Sequence, residues 1–177
     1  MRRTPTTRRI GATSSLLAGL VAVIGMALLS GCSDETSGSG GDASSAVDLI
    51  DAEAAAEQAA QEAAVAMTTY DHRSVEKDFG WVFEDATESF QRNFAAASVD
   101  SKKVITTLQA SATGTVVDSA ATADDAEHVK VLLFLDQEVT TPDDDEPRID
   151  QPRVTVQMVL EGGRWLVDDV VVNDLLS

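Results

Sequence analysis

Few side chains in this 177-residue chain have both the type and the spacing to do chemistry. The sole cysteine, Cys32, follows Leu29-Ser30-Gly31. Its thiol is a strong side-chain nucleophile and can form a thioether to a lipid carbon. Two small residues ahead of it let an extended backbone enter a peptidase cleft. Asp136 and Asp168 are acids in strand-like sequence, and Tyr70 offers a hydroxyl. A carboxylate in an apolar setting becomes a base fit for isomerase or dehydratase chemistry. His72 and His128 stand far apart with no neighbouring ligand cluster. Asp143-Asp144-Asp145-Glu146 could attract calcium, but alternating ligands and a mid-loop glycine are absent, so it reads as a solvated acidic hairpin. One cysteine allows no internal disulfide and argues against a Cys/His zinc site. No glycine-rich phosphate loop or nucleophile elbow is present. No catalytic residue, metal or cofactor is therefore expected.

The residues before Cys32 give it a context. Arg2, Arg3, Arg8 and Arg9 make a positive start, and an apolar run extends from Leu16 to Leu29. Its 14 residues fall short of the roughly 20 that span a bilayer and suit the h-region of a signal peptide. Leu29-Ser30-Gly31-Cys32 resembles the bacterial lipobox. Residues 1–31 are thus expected to be a cleaved signal, and Cys32 the lipid attachment point. Two acyl chains hold a protein on a membrane where one holds it only marginally. The alternative is an uncleaved helix that uses Ile10–Ser33 whole. Thr7-Arg8-Arg9-Ile10-Gly11 is a weak twin-arginine export pattern, since glycine stands where a second apolar residue is usual. In every case the positive end stays in the cytoplasm and the rest lies outside. The expected location is the extracytoplasmic face of the cell membrane.

Charge narrows the partners. Residues 1–31 hold four of the 13 basic residues and none of the 30 acidic ones, so residues 32–177 carry a formal charge of −21. Such a body is repelled by nucleic acid and by anionic headgroups.

The elements that must position any site follow. Residues 33–46 are mostly Ser, Gly and Asp and read, with Cys32, as a flexible linker with a reach of about 20 Å. A capping box at Ser45 opens a helix whose face carries Leu49, Ala52, Ala56, Ala59, Ala63, Met67 and Tyr70, with Glu53, Glu57, Gln61 and Glu62 on its back. Ser74 caps a second helix with Val75, Phe79, Val82 and Phe83, and a short third carries Phe90 and Phe94. Beyond Lys103 the apolar period changes to two. Strands are predicted near 104–120, 128–140, 152–161 and 164–172. A turn lies at Ala123–Ala126, an acidic loop at Thr141–Asp150, and Gly162-Gly163 makes a two-residue hairpin.

Helices first and a meander afterwards predict an α+β fold over residues 47–177. It is a nuclear transport factor 2-like cone, with three N-terminal helices packed on a curved four-stranded antiparallel sheet. Tyr70, Phe134 and Trp165 are the candidates to line its cavity.

Residues 50–172 also resemble the Mce-associated (mammalian cell entry-associated) membrane proteins of actinobacterial envelopes. The resemblance rests on Met67-Thr68-Thr69-Tyr70-Asp71-His72-Arg73, Val131-Leu132-Leu133-Phe134-Leu135-Asp136-Gln137 and Gly163-Arg164-Trp165-Leu166-Val167. Such proteins usually carry a transmembrane helix where this chain has a lipobox. The resemblance implies a non-catalytic accessory role beside a lipid-import complex, with its subunits as protein partners. The competing expectation is a small apolar-ligand carrier, or an isomerase-like enzyme, that uses the cone cavity.

Overall fold

The structure is a computed structural model; it describes residues 41–173, with side chains from Ser45 onward. Helix α1 spans Gly41–Thr68 and therefore takes in the last six residues of the stretch read as a linker. A two-residue strand, β1 (Tyr70–Asp71), follows. The second helical segment is broken into α2 (Val75–Asp78), a 3₁₀ turn (Phe79–Trp81) and α3 (Val82–Asp85). Helix α4 runs from Glu88 to Leu108. The sheet strands are β2 (Ser111–Ala123), β3 (His128–Thr140), β4 (Arg148–Asp150), β5 (Arg153–Glu161) and β6 (Arg164–Asn173). All pair antiparallel in the order β1-β2-β3-β5-β6, with β4 on β3. The expected α+β cone, helices on one curled antiparallel sheet, is what forms.

Two details depart from the expected four-stranded meander. The sheet has six strands, because β1 and β4 add short pieces at one end. Strand β4 lies inside the segment read as an acidic loop, and Pro152 separates it from β5. Proline has no N–H to give the ladder, yet its carbonyl still accepts from Leu135 N at 3.1 Å. The first long strand also begins at Ser111 rather than near 104. Val104, Ile105, Thr106 and Thr107 are β-branched and read as strand, but Ile105 is buried under the helix. The Thr106 and Thr107 hydroxyls are satisfied within the helix, donating to the carbonyls of Lys102 and Lys103 at 2.8 and 2.7 Å.

The core lies between α1 and the sheet. Ala52, Ala56, Ala60, Ala63 and Ala64 of α1 are buried against Val129, Val131, Leu133 and Leu135 of β3 and Val154, Val156 and Met158 of β5. Alanines let the helix axis come close. At Gly114 a side chain would collide with Thr68, and the Gly114 N–H donates to Thr69 Oγ1 at 3.1 Å. Glu53 and Glu57, read as the solvated back of this helix, instead flank β2. Glu53 Oε1 accepts from Ala123 N at 2.8 Å, and Ser119 Oγ donates to Glu57. The exposed edge of β2 is therefore covered by α1. The Gly162-Gly163 turn closes the β5–β6 hairpin with both residues at positive φ, 58° and 80°, as a type I′ turn requires.

Candidate functional site

Cys32 and the preceding Leu29, Ser30 and Gly31 lie outside the described residues. The remaining candidates can be placed. Asp136 accepts a hydrogen bond from Gln151 Nε2 at 2.8 Å, beside the β4–β5 junction. Asp168 is the extra residue of a β-bulge, since Gln157 pairs with Asp169 and Met158 with Val167. Its Oδ1 accepts from the hydroxyls of Thr87 at 2.9 Å and Ser89 at 3.3 Å. Thr87 caps α4 by accepting from Phe90 N at 3.2 Å, and its own N–H bonds Val167 O at 2.9 Å. Asp168 thus pins the start of α4 to β6 rather than facing a cavity, and its carboxylate suits the positive helix end.

His128 is exposed, with Nδ1 2.9 Å from Asp125 Oδ1; that hydrogen bond raises the imidazole pKa above its ordinary value, while the Glu127 backbone N–H first, and the His128 ring after it, lower that of Asp125. His72 Nδ1 lies 3.7 Å from Asp71 Oδ1 and has no hydrogen-bond partner among the described residues. Asp71 itself is committed to Arg73, whose Nε, Nη2 and backbone N–H donate to it at 2.9, 2.7 and 2.8 Å, and Ser111 Oγ adds a fourth bond at 3.2 Å. Those bonds hold its carboxyl well below the usual range. Among the described residues no three His, Cys, Asp or Glu side chains converge as a metal site would.

Tyr70, Phe134 and Trp165 do not come together. Phe134 was expected to face the cavity. The pleat puts Val129, Val131, Leu133 and Leu135 on the helix side, so Phe134 between them points to the opposite face. There the Arg153 guanidinium lies 5.3 Å from its ring centroid. Trp165 packs half-buried against the core. Between α1 and strands β3 and β5 the buried alanine, valine, leucine and methionine side chains form one continuous core.

An opening remains at the end where α4 crosses toward β1. There a groove of about 590 Å³ is lined by Tyr70, Phe79, Phe94, Ser98, Ile105 and Gln137, with Ala97, Ser101 and Val104 along its α4 wall. That volume falls within the ordinary range for small-molecule pockets. Its floor is one end of an aromatic chain: Tyr70 meets Phe79 edge-on at 6.3 Å, Phe79 meets Phe94 at 5.7 Å, and Phe94 stacks on Phe90 at 5.8 Å. Burial pushes the Tyr70 phenol pKa up, partly offset by Arg148 and reinforced by Asp150. The phenol therefore stays a neutral hydrogen-bonding group. Gln137 Nε2 is engaged by Thr68 O at 2.8 Å.

Such a site can bind, since it combines rings, methyls, hydroxyls and one amide. Asp100, on the rim, is the one acid among its lining residues. Of the sequence candidates only Tyr70 is here. Phe79 and Phe94 had been placed only on the apolar faces of the second and third helices, and the i, i+4 pair Phe90/Phe94 was the signal available for them.

Solved structures show the same fold. An IcmL-like type IV secretion system protein from Legionella pneumophila is 11% identical, with a TM-score of 0.57, over 66% of this chain and 88% of its own. CagV of Helicobacter pylori, a VirB8 homolog, is 15% identical, with a TM-score of 0.56, over 70% and 99%. The periplasmic domain of DotI is 13% identical, with a TM-score of 0.58, over 68% and 94%. No curated protein matches the chain by sequence. Across residues 14–171, however, the match to one protein family is continuous, and the chain belongs to that family, described as Uncharacterized protein Rv1363c/MT1408-like.

Proposed function

We propose that this is a non-catalytic, lipid-anchored envelope protein whose α+β domain docks onto protein subunits of a membrane complex, held outside the membrane by Cys32. The carrying observation is the fold, which it shares with three proteins described as a type IV secretion system protein, a VirB8 homolog and a periplasmic domain. The candidate acids agree with this reading, because Asp168 is bonded to Thr87 and Ser89 and Asp136 to Gln151. No helix among the described residues is long and apolar enough to cross a membrane, which leaves attachment to residues ahead of Gly41. The lipobox-like Leu29-Ser30-Gly31-Cys32 supplies it.

The specific complex proposed is an Mce-type lipid importer. Support comes from the resemblance at Met67–Arg73, Val131–Gln137 and Gly163–Val167. In the structure these three stretches are the α1–β1 junction, the centre of β3 and the β6 hairpin arm. They are scaffold positions, which fits an accessory domain. The test is a pull-down of the full-length protein from membranes in mild detergent after cross-linking in cells. Recovery of Mce or permease subunits is the expected result. Recovery of none of them overturns this assignment.

A further inference from the structure

The groove beside α4 has a use that an accessory role does not require. Its walls are apolar and half-exposed: Phe79 and Phe94 are partly buried, Ile105 is buried, and Val104 stands 54% exposed. An aromatic floor left open to water on one side costs hydrophobic free energy unless something covers it. The uncharged polar groups at hand are the Tyr70 phenol, the Ser98 and Ser101 hydroxyls and the Gln137 amide.

Charge decides what fits. No Lys or Arg is among the lining residues, and Asp100 stands on the rim. Lys102, the closest cation along α4, sits over the Phe79 ring at 5.5 Å from its centroid and is paired with Glu76 at 2.7 Å. It lines a neighbouring depression, not this groove. An anionic ligand would face Asp100 and the −21 charge of residues 32–177, while Arg148, the cation that acts on the Tyr70 phenol, is already paired with Asp150 at 2.8 Å. A cationic ligand would compete with the ammonium already seated against Phe79.

We infer that this groove binds the chain of an uncharged lipid, with alkyl carbons along Phe79, Phe94, Ala97, Val104 and Ile105 and a hydroxyl- or ester-bearing head toward Tyr70 and Gln137. The inference goes beyond docking to a complex and stands or falls separately from it.

The test uses the full-length protein reconstituted in phosphatidylcholine vesicles. These carry a trace of either a diazirine-bearing monoacylglycerol or a diazirine-bearing alkyl sulfate of the same chain length. After irradiation the protein is digested with trypsin, and adducts are sought on the peptide Asn93–Lys102. The neutral probe is expected to label this peptide. Filling the groove with Ala97→Trp, and separately with Ser101→Phe, should cut that labelling about tenfold, the factor that corresponds to ~1.4 kcal/mol of lost contact. Circular dichroism and thermal melting, read on both variants, show whether each folds. The alkyl sulfate should label the peptide far less than the neutral probe. Equal labelling by both probes, undiminished labelling in folded variants, or adducts confined to other peptides would each overturn the inference.

Discussion

Replacing Gly114 with alanine isolates the feature on which the fold most depends, the close approach of α1 to β2. A Cβ at Gly114 would lie 1.8 Å from Thr68 Oγ1 and 2.7 Å from Thr68 Cβ. Thr68 cannot swing aside freely. It is 8% exposed, and its hydroxyl donates to Ala64 O at 2.6 Å. Its carbonyl is held by Gln137 at 2.8 Å. Relief must come from moving the helix, which stretches the Gly114 N–H bond to Thr69 Oγ1. Overpacking of this kind costs about 1–3 kcal/mol, and loss of one buried hydrogen bond adds about 1 kcal/mol. The expected loss is therefore about 2–4 kcal/mol. With a urea dependence of about 2 kcal/mol per molar, the unfolding midpoint falls by about 1–2 M.

Urea titrations followed by tryptophan fluorescence read this shift. Gly80→Ala is the control, since nothing lies within 4 Å of its added methyl, and it should leave the midpoint unchanged or slightly raised. The pair Thr68→Gly/Gly114→Ala removes the colliding atoms and should recover part of the loss, because the two positions couple directly. A Gly114→Ala midpoint within about 0.2 M of the parent would refute the packing argument.

Other expectations follow from the same geometry. Asp168→Ala releases the Thr87 and Ser89 hydroxyls from β6 and should lower stability by about 1 kcal/mol in the same titration, whereas Asp136→Ala should leave stability within about 0.5 kcal/mol of the parent. Because the folded His128 pKa lies above its unfolded value, its contribution is complete below the unfolded pKa and fades as pH rises through the folded one. Proton NMR of the imidazole should place its titration above the usual histidine value, and Asp125→Asn should bring it back. For Asp71 the sign is opposite: its folded carboxyl pKa is depressed, so stability is present above the unfolded value and is lost as pH falls through the folded one. Arg73→Ala should flatten the acid limb of a stability-against-pH profile.

Much of the scaffold could be read from residue patterns, and the reasons it could not be read further are physical. Strict alternation in Val154–Met158 and the Gly162-Gly163 pair gave β5, the turn and β6, because a period of two and a positive-φ dipeptide admit few other structures. Alternation along β3 also held, but it did not say which parity faced the helices, and Phe134 was placed on the wrong side. Size argued for burying the phenylalanine; the unbroken valine and leucine register of β3 decided otherwise. The last five residues of α4 were misread because Val104–Thr107 favour strands locally, while burial of Ile105 is a tertiary fact. The groove was half legible. Tyr70 was named, yet its partners Phe79 and Gln137 meet it only through the break between α2 and α3 and the pairing of β1 with β2.

Mass spectrometry of the N-terminal peptide from membrane-purified material is the sharpest test of the proposed anchoring through an acylated Cys32. A mature chain that begins at Cys32 and carries diacylglycerol is the predicted result, with Cys32→Ser accumulating as a larger, unmodified precursor. A chain that still begins at Met1, or one that begins elsewhere without acyl chains, would contradict the account.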